Sequence, residues 1–189
     1  MNHIRGGFHS WDDSARRQWQ DPEAILTGIG LKAGMTFADI GCGGGFFAVP
    51  AARMVGKNGK VYGLDAGAAS ITTLKEQVEK EGLTNLYLTT GRAEDIVVCN
   101  HCADFVFFGI ALHDFNDPQL VLKNARLTIK PTGKLIDLDW KKEGIPIGPP
   151  SHIKFDIAKA SGLIEAAGFK VESVKDSGPY HYLITAKPL

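Results

Sequence analysis

The chain has 189 residues, 21 Lys and Arg against 21 Asp and Glu, and a formal net charge of +0. That balance lacks the basic surplus with which a nucleic-acid binder meets phosphate, and 44% hydrophobic with 22% charged residues is the make-up of an ordinary globular domain. No apolar run reaches the ~18 residues of a membrane helix, and Met1–Gly7 carries no signal-peptide core, so the expectation is a cytoplasmic protein that engages neither membrane nor nucleic acid. Oligomeric state is not written in such a composition.

In chain order, residues 1–20 are polar around Trp11, Trp19, Arg16 and Arg17, with a short helix expected from about Asp12. Asp21-Pro22-Glu23 reads as a helix start, Asp as cap and Pro at the first position. Met35-Thr36-Phe37-Ala38 begins a strand and Phe46–Val55 follows as a helix. Lys60–Asp65 is a second strand, Ala68–Glu81 a helix stopped by Gly82, and Leu86–Thr90 a third strand. Ala103–Gly109 is nearly all apolar, as a strand buried on both faces should be. Pro118–Ile129 is helical, Lys130-Pro131-Thr132-Gly133 a turn, and Lys134–Trp140 a fifth strand. The Pro- and Gly-rich run Glu143–Pro150 is a loop. Ile153–Ala167 holds the last helix, and Phe169–Val174 and Tyr180–Ala186 form a hairpin around Asp176–Pro179. Alternating β and α units predict an α/β fold, a doubly wound and mostly parallel sheet with helices on both faces. The chain reads as one domain over 1–189, with 1–34 as a helical cap or lid and 35–189 as the core.

The most informative stretch is Asp39-Ile40-Gly41-Cys42-Gly43-Gly44-Gly45, between the first strand and its helix. Glycines there let backbone take positive φ and let a ligand come close, while the helix N-terminus offers free N–H groups. A dinucleotide fingerprint would need glycine where Phe46 stands, which disfavours a nicotinamide-dependent oxidoreductase. A carboxylate two residues before the first glycine suits an ammonium-bearing ligand better than a pyrophosphate. Asp65 ends the second strand, where an acid can accept hydrogen bonds from two ribose hydroxyls or cap the next helix.

These marks resemble the class I S-adenosylmethionine (SAM) dependent methyltransferases, type 11-like and similar to those of quinone biosynthesis. Asp39–Gly45 resembles their motif I. Gly91-Arg92-Ala93-Glu94 resembles their adenine loop, usually G-D-A-E, with Arg92 in the Asp position; Arg92 could stack on the ring while the Ala93 backbone keeps its contact. Leu112–Pro118 resembles L-H-x-x-x-D-P, and Lys130–Leu135 resembles K-P-G-G-x-L with Thr132 for one glycine. The likeness runs over about residues 35 to 140 with five marks in order. It implies a seven-stranded Rossmann-like sheet, order 3-2-1-4-5-7-6 with strand 7 antiparallel. It also implies SAM as cofactor, held by Asp39, Gly41, Cys42, Gly43, Gly45, Asp65, Ala66, Arg92, Ala93 and Gly109.

The implied reaction moves a methyl group to a small-molecule O, N, S or C nucleophile. His113, just past strand 4, is the candidate general base; His-Asp with an aromatic next resembles the H-D-W stretch of plant-type O-methyltransferases. Asp114 orients it only if the fold brings the two together, and Tyr180 and His181 are weaker candidates. Phe46, Phe47, Phe108 and Trp11 could line the site or simply fill the core. A SAM-binding sensor without catalysis stays open, and metalloid methylation is a lesser alternative because of Cys42, Cys99 and Cys102. No metal site is expected: Cys99-Asn100-His101-Cys102 has no second pair and reads as a turn with reduced thiols, or as a regulatory disulfide.

Overall fold

A computed structural model of the protein describes residues 16–143 and 146–189; Trp11 and the short helix expected from Asp12 lie outside the described residues. Seven strands form one sheet in the order β3-β2-β1-β4-β5-β7-β6. They are β1 Thr36–Ile40, β2 Lys60–Asp65, β3 Leu86–Thr90, β4 Ala103–Gly109, β5 Ile129–Trp140, β6 Phe169–Ser177 and β7 His181–Pro188. The first five run parallel and β7 is antiparallel to both β5 and β6, the expected architecture.

Helices α1 Pro22–Gly28, α2 Ala48–Val55 and α3 Ala68–Glu81 cover one face; α4 Pro118–Thr128 and α5 Ile157–Ala166 cover the other. Each helix shows why it sits there. Ile71, Leu74 and Val78 of α3 recur at helical spacing and are buried, and Gly82 stops it in the left-handed conformation. Asp21, Asp117 and Asp156 cap α1, α4 and α5 with side-chain hydrogen bonds to Ala24, Leu120 and Lys159. Between the sheet and α2, Phe47 packs on Phe107 and Phe107 on Phe37 with ring centroids 4.7 and 5.4 Å apart, each buried ring contributing about 1.5–3 kcal/mol.

The structure departs from the sequence reading at four boundaries. The expected turn Lys130–Gly133 lies inside β5: Ala103 pairs with Ile129 and Phe105 with Lys134, so the run is accommodated as a bulge. Gly133 is needed there, since a Cβ would meet the Ala103 carbonyl at 2.8 Å. Helix α5 begins at Ile157 rather than Ile153, because the cap is Asp156. The hairpin strands extend further, leaving Gly178, with φ of 63°, at the turn. Helix α2 begins at Ala48 rather than Phe46, and its cap Phe47 offers no side-chain hydrogen bond.

Candidate functional site

In an open α/β sheet, ligands bind beyond the carboxyl ends of the strands at the switch in strand order, here between β1 and β4. The chain turns sharply there. Gly41, Gly43 and Gly45 have φ of 82°, 52° and 88°, a region that other L residues enter at a cost. A Cβ on Gly41 would also sit 2.7 Å from the Cβ of Ala111, just past β4, so the glycine turn and the post-β4 segment touch. Gly109 has no room either, its Cβ position lying 2.7 Å from the Phe47 ring. Ile110 follows with φ of 62°, unusual for a β-branched residue, and its N–H donates to Leu138 at 2.7 Å.

Asp39 is 2% exposed and its Oδ2 has no hydrogen-bond partner. Burial, then the charge of Asp65, push its pKa up to about 7; Arg16 and the Ala48 N–H act in the other direction. Asp65 accepts from the Gly43 N–H at 2.8 Å through one oxygen and from the Gly67 N–H at 2.7 Å through the other. It therefore ties the glycine turn to the start of α3, and each oxygen keeps a lone pair for a further donor. Cys42 is a free, buried cysteine at the same turn, its thiol pKa raised by burial and by Asp39 and Asp65. Ala66 is exposed beside Asp65.

The loop Gly91–Glu94 after β3 is held from below. Asn124 on α4 donates to the carbonyls of Ala93 and Glu94 at 2.9 and 2.8 Å. Glu94 accepts from the N–H groups of Asn116 and Asp117, as a cap rather than a ligand contact. Arg92 is exposed and turned towards Glu94 and Asp95, at 3.5 and 3.7 Å, and Ala93 is buried.

His113 sits in a 3-10 turn, Leu112–Asp114, with its side chain 0% exposed. Its Nδ1 lies 2.8 Å from the carboxylate of Asp139 on β5, while Nε2 makes no hydrogen bond and lies 3.4 Å from Asp114. Burial pulls the imidazole pKa down, but the hydrogen bond to Asp139 and the charges of Asp139 and Asp114 outweigh it, and the net shift is upward. The sequence offered Asp114 as an orienting acid only if the fold brought it to His113; it lies 3.4 Å from Nε2, and the fold adds Asp139 as the direct hydrogen-bond partner. Asp139 alternates with Asp137 in the otherwise apolar end of β5, residues 135–140, which was the available signal. His181, by contrast, is held to a pKa of about 3 by burial and the cations Arg16, Lys141 and Lys154. It lies in an aromatic stack, 5.2 Å from Trp19 and 4.3 Å from Trp140 between ring centroids.

The three cysteines are not gathered. Cys99 and Cys102 form a disulfide, correcting the expectation of reduced thiols, at the amino end of β4 away from the cleft. Among the described residues no cluster of His, Cys, Asp and Glu could hold a metal, and no helix is long and apolar enough to cross a membrane.

A family model described as a methyltransferase domain matches residues 31–170. A SAM-dependent methyltransferase from Aquifex aeolicus, known from its crystal structure, superposes with a TM-score of 0.89 at 32% identity, over 94% of this chain and 95% of that one. Demethylmenaquinone methyltransferase from Bacillus cytotoxicus is 34% identical over 109 residues, 58% of this chain and 46% of its own length. The enzyme of that name from a Geobacillus species is 29% identical over 126 residues, 67% of this chain and 54% of its own. The chain thus spans about half the length of the curated relatives it matches. Sheet order, glycine turn and these likenesses together place the chain in the class I SAM-dependent methyltransferase family, with SAM as its cofactor.

Proposed function

We propose that the protein transfers a methyl group from SAM to a small-molecule acceptor bound beside His113, and that His113 is the general base. The observation that carries this is the buried His113–Asp139 pair whose other nitrogen, Nε2, makes no hydrogen bond, one short turn beyond β4. A carboxylate on Nδ1 fixes the tautomer with the proton on that nitrogen and leaves the Nε2 lone pair for the acceptor's proton. The imidazolium formed is then stabilised by Asp139 and Asp114.

The residues at the strand ends fit the cofactor. Asp39 offers an unpartnered buried carboxylate oxygen to its ammonium, and Asp65 keeps acceptor capacity for ribose hydroxyls. Gly43 faces open space at the turn that Cys42 shares, where a ligand can come close, while Gly41, Gly45 and Gly109 let the turn and the end of β4 pack against Ala111, Leu74 and Phe47. Ala66, Arg92 and the Ala93 backbone border the adenosine side. When bound, SAM supplies a methyl group already activated by a positively charged sulfur. The protein's own contribution is alignment, worth roughly 7–11 kcal/mol in favourable cases, and the removal of one proton, worth about 100- to 10,000-fold in rate.

An acceptor with an acidic O–H suits such a base, and the names of the relatives make reduced demethylmenaquinone the first compound to try, followed by simple phenols. The test is release of S-adenosylhomocysteine from SAM. His113→Gln should lower kcat by about 100-fold or more with SAM affinity unchanged, and Asp139→Asn should lower it while moving the pH profile to lower pH. An unaltered kcat in His113→Gln removes the base assignment; no S-adenosylhomocysteine with any acceptor removes the enzymatic one.

A further inference from the structure

A half-buried charge of opposite sign acts on Asp39. Arg16, ahead of α1, places its guanidinium 3.8 Å from the centre of the Phe46 ring and 5.5 Å from that of Phe47. These two rings lie between the glycine turn and Ala48, the start of α2. Arg16 thus packs on the residues that follow the turn opened by Asp39, and its positive charge acts against burial on the Asp39 pKa.

Beside Arg16 lies Gln20, 3% exposed. Its Oε1 accepts from Arg16 Nε at 2.6 Å, which fixes the orientation of the amide. The amide Nε2 is then a buried donor with no partner. A buried donor left unmade costs about 1–3 kcal/mol, so an acceptor supplied by a ligand would recover that loss. An oriented guanidinium with an unpartnered amide N–H beside it is a donor set for a carboxylate, for which Arg is better suited than Lys because its donors form a planar fork.

An α-amino acid carries its ammonium and carboxylate on one carbon, so a site for it needs an anion and a cation set within a few atoms of each other. We infer that Arg16, with Gln20, holds the carboxylate of the cofactor's amino-acid end while Asp39 holds its ammonium. The inference rests on the SAM assignment above. It makes the segment before α1 part of the cofactor site, fastened over it through Arg16 on Phe46 and Trp19 on His181.

The test compares two ligands that differ only in the carboxylate: SAM and its decarboxylated analogue, titrated into the full chain by calorimetry. The wild-type protein should bind SAM on the order of 10- to 100-fold more tightly than the analogue, the range for a charge-assisted hydrogen bond. Arg16→Met, which keeps an apolar cover on Phe46, should lose that factor for SAM and leave the analogue unchanged. Gln20→Leu should lose a smaller part of it with the same selectivity. Equal wild-type affinities for the two ligands overturn the inference without any variant, and the cofactor reading survives. An Arg16→Met protein that weakens both ligands alike also overturns it, because the arginine then only anchors the segment. No heat with either ligand overturns the cofactor reading and this inference together.

Discussion

Asp39 is the residue at which the needs of folding and of binding diverge most. Its carboxyl is 2% exposed and its pKa is raised from 3.8 to about 7, chiefly by burial. Between those two values the folded protein holds a proton that the unfolded chain has released, so ionising Asp39 destabilises the fold progressively as pH rises, by roughly 4 kcal/mol once pH exceeds 7. On the proposed reading a cofactor ammonium offsets that cost. Binding of SAM should therefore tighten between pH 5.5 and 7 and release a proton, read as a buffer-dependent calorimetric heat; Asp39→Asn should bind weakly and without that pH dependence. Wild-type binding that is flat over this range would deny Asp39 the role. The acid before the glycines was visible in the sequence, but its burial was not.

At the scale of elements, the β1–α2 turn works because backbone, not side chain, fills the space. Gly41 combines φ of +82° with a contact to Ala111 that any Cβ would violate, whereas Gly43, at φ of +52°, faces nothing within 4 Å. Gly41→Ala should lower stability by about 1–3 kcal/mol and weaken SAM binding. Gly43→Ala should cost about 1 kcal/mol or less, from φ alone. A thermal melt of the two variants separates them, and equal losses would mean that the contact with the post-β4 segment is not what constrains the turn. Element limits were legible where local signals are strong: β2, α3, β3 and β4 fall where alternation, helical period and Gly82 put them. They were missed at Lys130–Gly133, where a turn-like sequence is carried as a bulge because β4 pairs on both sides of it.

For the molecule as a whole, the sheet buries acids that the core must tolerate. Asp137 is 0% exposed, neither carboxyl oxygen has a hydrogen-bond partner, and it shares one sheet face with Asp139 and Tyr182. Burial, then the charge of Asp139, raise its pKa well above 3.8, so the folded protein keeps it protonated. Stability is then lost as pH rises towards that raised value, because the unfolded state gives up the proton first. Asp137→Asn cannot ionise and should gain stability relative to wild type as pH rises above the ordinary carboxylate range in denaturant titrations; parallel curves would refute a buried protonated Asp137.

What the sequence determined by itself is local: a strand, a turn that only glycine can make, a helix, and acids at fixed offsets, because φ preference and hydrophobic period act within a few residues. Tertiary structure decided the rest. Asp139 lies 26 positions from His113, and Arg16 more than 20 from Asp39. His113 and Asp139 meet through the β4–β5 register, and Arg16 comes to Phe46, beside the glycine turn, because the segment before α1 packs there. Pairing and packing are long-range free energies, and no period or spacing in the chain encodes which buried acid will face which base.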